Sequence, residues 1–174
     1  RLNHNLLEIF APNEVAAGGP PRVQVNYETN VASPHAGRVR LLTLGGMNVH
    51  GVVAGGSIAY DYLDLGQVNL ADFAEQVSQT IVVDRNDNRT EYQFDQMGNI
   101  RLMREFVNRI IATSAPPVFV SQFEHNKDGE MTRLILPEGN SIEYVYDDQN
   151  PDRLQQGNVL AEIRSPDPER GGDQ

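Results

Sequence analysis

Two aromatic residues one position apart, followed four residues later by a glycine, recur along this 174-residue chain and restrict its fold more than any other feature. Tyr60-Asp61-Tyr62 leads to Gly66, Tyr92-Gln93-Phe94 to Gly98, and Phe123-Glu124-His125 to Gly129, with His125 in the second ring position. A fourth copy begins at Tyr144-Val145-Tyr146-Asp147 and reaches Gly157 late, because residues 148–156 are inserted where a loop tolerates length. A fifth, degraded copy begins at Tyr27 and resumes at Gly37. Starts at 60, 92, 123 and 144 are 32, 31 and 21 residues apart, so the period is loose. Rings at i and i+2 leave a strand from the same face. Asp95, Asn126 and Asp147 can then accept hydrogen bonds from backbone amides ahead of them, and Gly66, Gly98 and Gly129 are expected to supply the positive φ that closes a hairpin.

Strand chemistry resumes after each glycine, in Ile100-Arg101-Leu102, in 131–136 and in 159–163. A lone hairpin is marginal, so successive units must pair sideways. The expected fold is mainly β: consecutive antiparallel hairpins forming a curved, spiralling sheet. Further strands are predicted over 22–27, 38–44, 51–54, 80–84 and 118–123, with loops at 17–21, 32–36 and 115–117. Residues 103–111 are also read as strand. One short helix is predicted near 69–78, where Leu70, Phe73, Ala74 and Val77 have helical spacing, Asn69 can cap and Asp72 stands in the first turn. The organisation is thus an irregular lead-in over 1–21, hairpin repeats over 22–164 with units near 27, 60, 92, 123 and 144, and a polar, Gly-rich tail over 165–174.

Charge narrows the partners. Fourteen Lys and Arg face 24 Asp and Glu, a formal net charge of -10, and no basic run supplies the face that a phosphate backbone needs. Nucleic acid and anionic membrane surfaces are therefore not expected partners. The longest apolar stretches are broken by glycine and fall far short of the ~20 residues of a membrane-spanning helix. With no Cys, disulfides, thiolate nucleophiles and Cys-based zinc sites are absent together. The chain opens at Arg1 without the succession of a signal peptide and reads as a segment of something longer.

The motif Tyr92-x-Phe94-Asp95-x-x-Gly98-Asn99, the lead-in Pro137-Glu138-Gly139-Asn140 before Glu143-Tyr144-Val145-Tyr146-Asp147, and Gly157-Asn158 together resemble the YD-repeat or Rhs (rearrangement hotspot) family of very large bacterial secreted and surface proteins. The likeness covers residues 55–164 well and 22–45 loosely. It implies many hairpins wound into a spiral sheet that closes a hollow shell, around a toxin in some members. Toxin-bearing members end the shell with Asp-Pro-x-Gly, and here Asp167-Pro168-Glu169-Arg170-Gly171 has its glycine one place late. Self-cleavage is therefore not expected.

Other constellations favour plain readings. Asp84, Asn86, Asn88, Thr90 and Asp95 match an EF-hand count at positions 1, 3, 5, 7 and 12, but Arg89 stands where that loop requires Gly. Asp147, Asp148 and Asp152 read as a solvated loop. His4, His35, His50 and His125 have no two-ligand spacing, and Ser57, Ser114 and Ser121 no nucleophile-elbow context. No catalytic, cofactor or metal residue is assigned. The structural repeat positions are Tyr60, Tyr62, Gly66, Tyr92, Phe94, Asp95, Gly98, Phe123, Asn126, Gly129, Tyr144, Tyr146, Asp147 and Gly157.

The expectation is a non-enzymatic wall segment of a shell at the cell surface or outside the cell. Its partners would be neighbouring repeats of the same parent chain and an enclosed toxin or other cargo. The alternative is a surface module whose rings or acidic loops grip carbohydrate or protein; ring packing is preferred, because rings at i and i+2 are what a buried sheet face requires.

Overall fold

A computed structural model describes residues 5–45, 55–66, 74–106 and 118–169. Its elements are β1 (Glu8–Ile9), α1 (Pro12–Ala17), β2 (Val23–Tyr27), β3 (Val39–Leu44), β4 (Gly56–Asp64), β5 (Gln76–Val83), β6 (Arg89–Asp95) and β7 (Ile100–Phe106). β8 (Val118–His125), β9 (Met131–Ile135), β10 (Ser141–Tyr146), a 3-10 turn η1 (Arg153–Gln155) and β11 (Val159–Ser165) follow. The strands are hydrogen-bonded in chain order from β1 to β11, antiparallel to their neighbours, so the expected mainly β, hairpin-by-hairpin fold is met. Short turns joining period-two segments leave antiparallel pairing with the previous strand as the nearest partner.

The helix expected near 69–78 is corrected over its second half. Ala74 and Glu75 form a turn and bend, and Gln76 opens β5. The run Thr80-Ile81-Val82-Val83 is β-branched, and it draws the preceding residues into the extended form. Residues 69–73, the strand expected at 51–54, the loop at 115–117 and the 107–111 end of the 103–111 strand lie outside the described residues. A helix does form in the lead-in. Pro12 opens α1, the Glu14 carboxylate accepts the Ala11 amide at 2.7 Å, and Gly18 ends it at φ 61°.

Contacts group the chain into two compact units: Arg1–Tyr62 with Thr80–Arg89 and Asn108–Ile110, and Leu63–Gln79 with Thr90–Val107 and Ile111–Gln174. In the first, Val25 amide bonds the Leu7 carbonyl and Arg22 amide that of Ile9, which fastens the lead-in to β2. Glu14 and Arg22 form an ion pair at 2.8 Å below α1.

In the second unit the registers define two faces. Phe123 opposes Leu134, Leu134 opposes Ile142, and Tyr144 opposes Glu162, so the first rings of the third and fourth copies share a face. The other face carries Glu124, Arg133 and Glu143 in one row, with N···O distances of 3.7 and 3.4 Å. These groups are exposed enough that the row sets register more than stability.

Among the described residues, Val25 is the single buried hydrophobic side chain. The other buried residues are polar: Glu14, Gln79, Glu91, Gln93, Asp95, Ser121 and Ser141. Gln79 and Gln93 satisfy each other at 3.0 Å, and Glu91 has Arg104 at 3.5 Å.

Candidate functional site

The hairpin turns show what the repeat builds. In 95–99 the Asp95 amide bonds the Asn99 carbonyl, the Gly98 amide bonds the Asp95 carbonyl, and Asp95 Oδ1 accepts both the Met97 and Asn99 amides at 2.9 Å. Gly98 has φ 85°, as a three-residue hairpin loop with one left-handed residue demands. The 126–130 turn repeats every bond, with Asn126 Oδ1 accepting from Asp128 and Glu130 and Gly129 at φ 85°. Acid and amide are exchanged between these turns: Asn99 Nδ2 donates to Asp95, whereas Asn126 Nδ2 donates to Glu130.

Two further turns of this kind escape the ring-based repeat. Residues 84–88 form the same bonds, with Asp87 rather than glycine in the left-handed position at φ 60°. The EF-hand count therefore falls on a hairpin turn: Asp84 accepts the Asn86 and Asn88 amides and the Asn88 side chain, and these bonds hold its carboxyl below the usual range. Residues 136–140 close with the same backbone pair through Gly139 at φ 90°. The degraded fifth copy closes likewise across a longer loop, since the Glu28 amide bonds the Arg38 carbonyl and the Gly37 amide that of Glu28.

Gly66 departs from expectation, because its φ is not in the left-handed region. At Gly157 a Cβ would stand 2.7 Å from a Glu130 carboxylate oxygen, the mobile end of that side chain, so the glycine marks a close approach. Asn99 similarly lies 3.5 Å from the Cβ position of Gly129, so the fifth residues of the 95–99 and 126–130 turns each lie against the next copy's glycine. In the fourth copy the Asp147 amide bonds the Asn158 carbonyl, and Asp147, Asn150 and Asp152 hold the insertion through internal hydrogen bonds.

The ring strands carry a second recurrent device. At Tyr27↔Val39, His125↔Met131 and Tyr146↔Val159 the register slips by one residue, a bulge placed at the second ring of the third and fourth copies and at the lone ring of the degraded one. Three tyrosines, the second rings Tyr62 and Tyr146 and the lone Tyr27 of the degraded copy, donate their hydroxyls backwards at 2.8 Å: Tyr27 to Leu6, Tyr62 to Val39 and Tyr146 to Met131, all backbone carbonyls. The offset is constant. Extending each ladder puts Asn26 opposite Leu6, Asp61 opposite Val39 and Val145 opposite Met131, so the acceptor always faces the residue before the ring. Val39 and Met131 are themselves bulge residues of the preceding hairpin, so the hydroxyl ties one hairpin to the irregular point of the last.

Burial holds the Tyr62 and Tyr146 phenols above the usual tyrosine range, which keeps them protonated as donors. Tyr62 is also flanked by the His35 ring at 5.7 Å and the Arg38 guanidinium at 5.0 Å. His125 breaks the series. Its offset points to the Ile100 carbonyl, but its buried Nδ1 makes no hydrogen bond.

Tyr60, Tyr62, Tyr92, Phe94, Phe123, Tyr144 and Tyr146 are all half-buried, neither core nor open platform. Pattern reading missed the hydroxyl bonds because they depend on sheet register, although Tyr at 27, 62 and 146 was a visible signal. Among the described residues no cluster of three His, Asp or Glu is placed to hold a metal, and no helix is long and apolar enough to cross a membrane. Set against protein-family models and against curated proteins, the chain matches none.

Proposed function

We propose that this chain is a run of YD/Rhs-type hairpins forming part of the wall of a large β-shell, resembling those that enclose a toxin or other cargo in secreted or surface proteins. The observation that carries the reading is the constant backward offset of the tyrosine hydroxyls. A bond that joins a hairpin to the bulge of its predecessor, as those of Tyr62 and Tyr146 do, is a device for adding units in one register, and wall building needs that. The side-chain burial supports it: with Val25 the one buried hydrophobic among the described residues, stability rests on strand-to-strand pairing rather than on a closed core.

The same bonds weigh against carbohydrate binding. A sugar platform presents an unencumbered ring face and hydroxyl, whereas the hydroxyls of Tyr27, Tyr62 and Tyr146 are committed to backbone. The wall has no catalytic role in this reading.

The mass of the intact parent polypeptide, measured without proteolysis, tests the proposal. A value on the order of 100 kDa or more is expected of a shell built from repeats this small. A free 19.3 kDa protein would overturn it, because so few hairpins cannot enclose a cavity.

A further inference from the structure

β11 ends the hydrogen-bonded order of the sheet, and its side chains are exposed on both faces: Val159 by 53%, Leu160 by 63% and Ile163 by 47%. Its exposed charges, Glu162 and Arg164, stand on one face and pair with each other at 2.7 Å, so the seven-residue edge remains a template for another strand. The earlier hairpins specify which strand fits. Val159 is the bulge residue of its hairpin, paired with Tyr146 at the one-residue slip, as Val39 is with Tyr27 and Met131 with His125. Where a tyrosine-bearing strand follows such a residue, at Val39 and at Met131, the residue's carbonyl accepts the hydroxyl of that strand's second ring.

We infer that the outer edge of β11 is a docking site for a strand of a further hairpin of the same parent protein, antiparallel to β11, whose second ring is a tyrosine bonded to the Val159 carbonyl. The register then follows. The residue before that tyrosine faces Val159, and the first ring faces Leu160, as Tyr144 faces Thr132 and Phe123 faces Arg101 when the ladders of β9 and β7 are extended. This covers the most exposed apolar side chain of β11 with an aromatic ring. The opposite face leaves Ile163, beside Glu143, for an apolar or basic partner. The inference rests on the wall reading and sharpens it by naming the incoming residue and its acceptor.

A synthetic peptide with the sequence of residues 140–147, Asn-Ser-Ile-Glu-Tyr-Val-Tyr-Asp, is a suitable probe because it is the chain's own ring strand. Titrated into the isotope-labelled full chain, it is expected to shift amide resonances of Val159–Ser165 and to slow their hydrogen exchange. Replacing its second tyrosine by Phe is expected to weaken binding about fivefold, the loss of one hydrogen bond. Leu160→Lys in the chain is expected to abolish binding while leaving the β10–β11 amides protected. No perturbation of β11 at millimolar peptide overturns the inference, as does equal binding of the Tyr and Phe peptides. Self-association of the chain through β11 that the peptide cannot displace overturns it too, since the occupant is then a second copy. A large parent with no peptide binding defeats this inference alone; a 19.3 kDa parent defeats the wall reading itself.

Discussion

The junction made by Tyr146 on β9 and the junction made by His125 on β7 share a register and differ in one bond. In the first, the phenol bridges to the Met131 carbonyl; in the second, the carbonyl at the same offset belongs to Ile100 and the shorter imidazole leaves its Nδ1 without a hydrogen bond. Both strands nevertheless pair along their length. The backbone ladder and the bulge thus suffice to place a hairpin, and the hydroxyl adds strength and directional choice on top. A buried unsatisfied nitrogen costs about 1–3 kcal/mol, so the His125 junction should be the weaker of the two.

Removing the ring altogether should have the largest effect. Tyr146→Ala loses a half-buried aromatic side chain and its bond to Met131, and is expected to lower the unfolding free energy by about 2–3 kcal/mol. Tyr146→Phe should lose only about 1 kcal/mol, the hydroxyl contribution. Urea denaturation of both variants separates ring from hydroxyl; no loss in Tyr146→Phe would mean the hydrogen bond is idle, and equal losses would mean the ring is. An effect between those two, about 2 kcal/mol, is expected of Gly98→Val, which forces a β-branched residue to φ 85° while the Asp95 bonds hold the turn. Unchanged thermal unfolding of that variant would disprove the turn assignment.

How far these features could be read beforehand depends on their range. The ring pairs, the Asp95 and Asn126 turns and the hairpin order are local: period two, an Asx side chain and a glycine suffice. The helix expected near 69–78 is the instructive failure over 74–78, because Val77 fits a helical spacing but also begins a strand rich in β-branched residues. α1 was passed over for the opposite reason. Its Pro12, Glu14 and Gly18 are sound end signals, but Ala11 is not a usual cap. The hydroxyl bonds lay beyond reach, since their acceptors are 15 to 23 residues away and are chosen by strand register. The polar identity of most buried positions is likewise a tertiary outcome: Gln79 and Gln93 can be buried only because each finds the other.

His125→Tyr should move the weak junction towards the strong one. A phenol at this offset can reach the Ile100 carbonyl as Tyr146 reaches Met131, with a gain of about 1 kcal/mol and no orphaned nitrogen. The outcome is read as a raised unfolding midpoint with slower exchange of β7 and β8 amides. A midpoint below that of the parent chain would show that the offset rule does not extend to this pair.

The smallest effect expected is a pH dependence that belongs to the His125 junction alone. Burial lowers the His125 pKa first, the nearby Arg101 charge lowers it further, and Asp95 opposes both. The folded state therefore binds its proton less readily than the unfolded chain, whose histidine titrates near 6.5. Above that value both states are neutral here and the junction keeps its full stability; as the pH falls from 6.5 towards the depressed folded value, the unfolded state takes up the proton first and stability declines. Comparing the parent with His125→Tyr at pH 7.5 and pH 5.5 isolates this contribution from the many carboxylates, which both proteins share. The stability gap between them should widen at the lower pH. A gap that stays constant, or narrows, would place the imidazole in water rather than between β7 and β9.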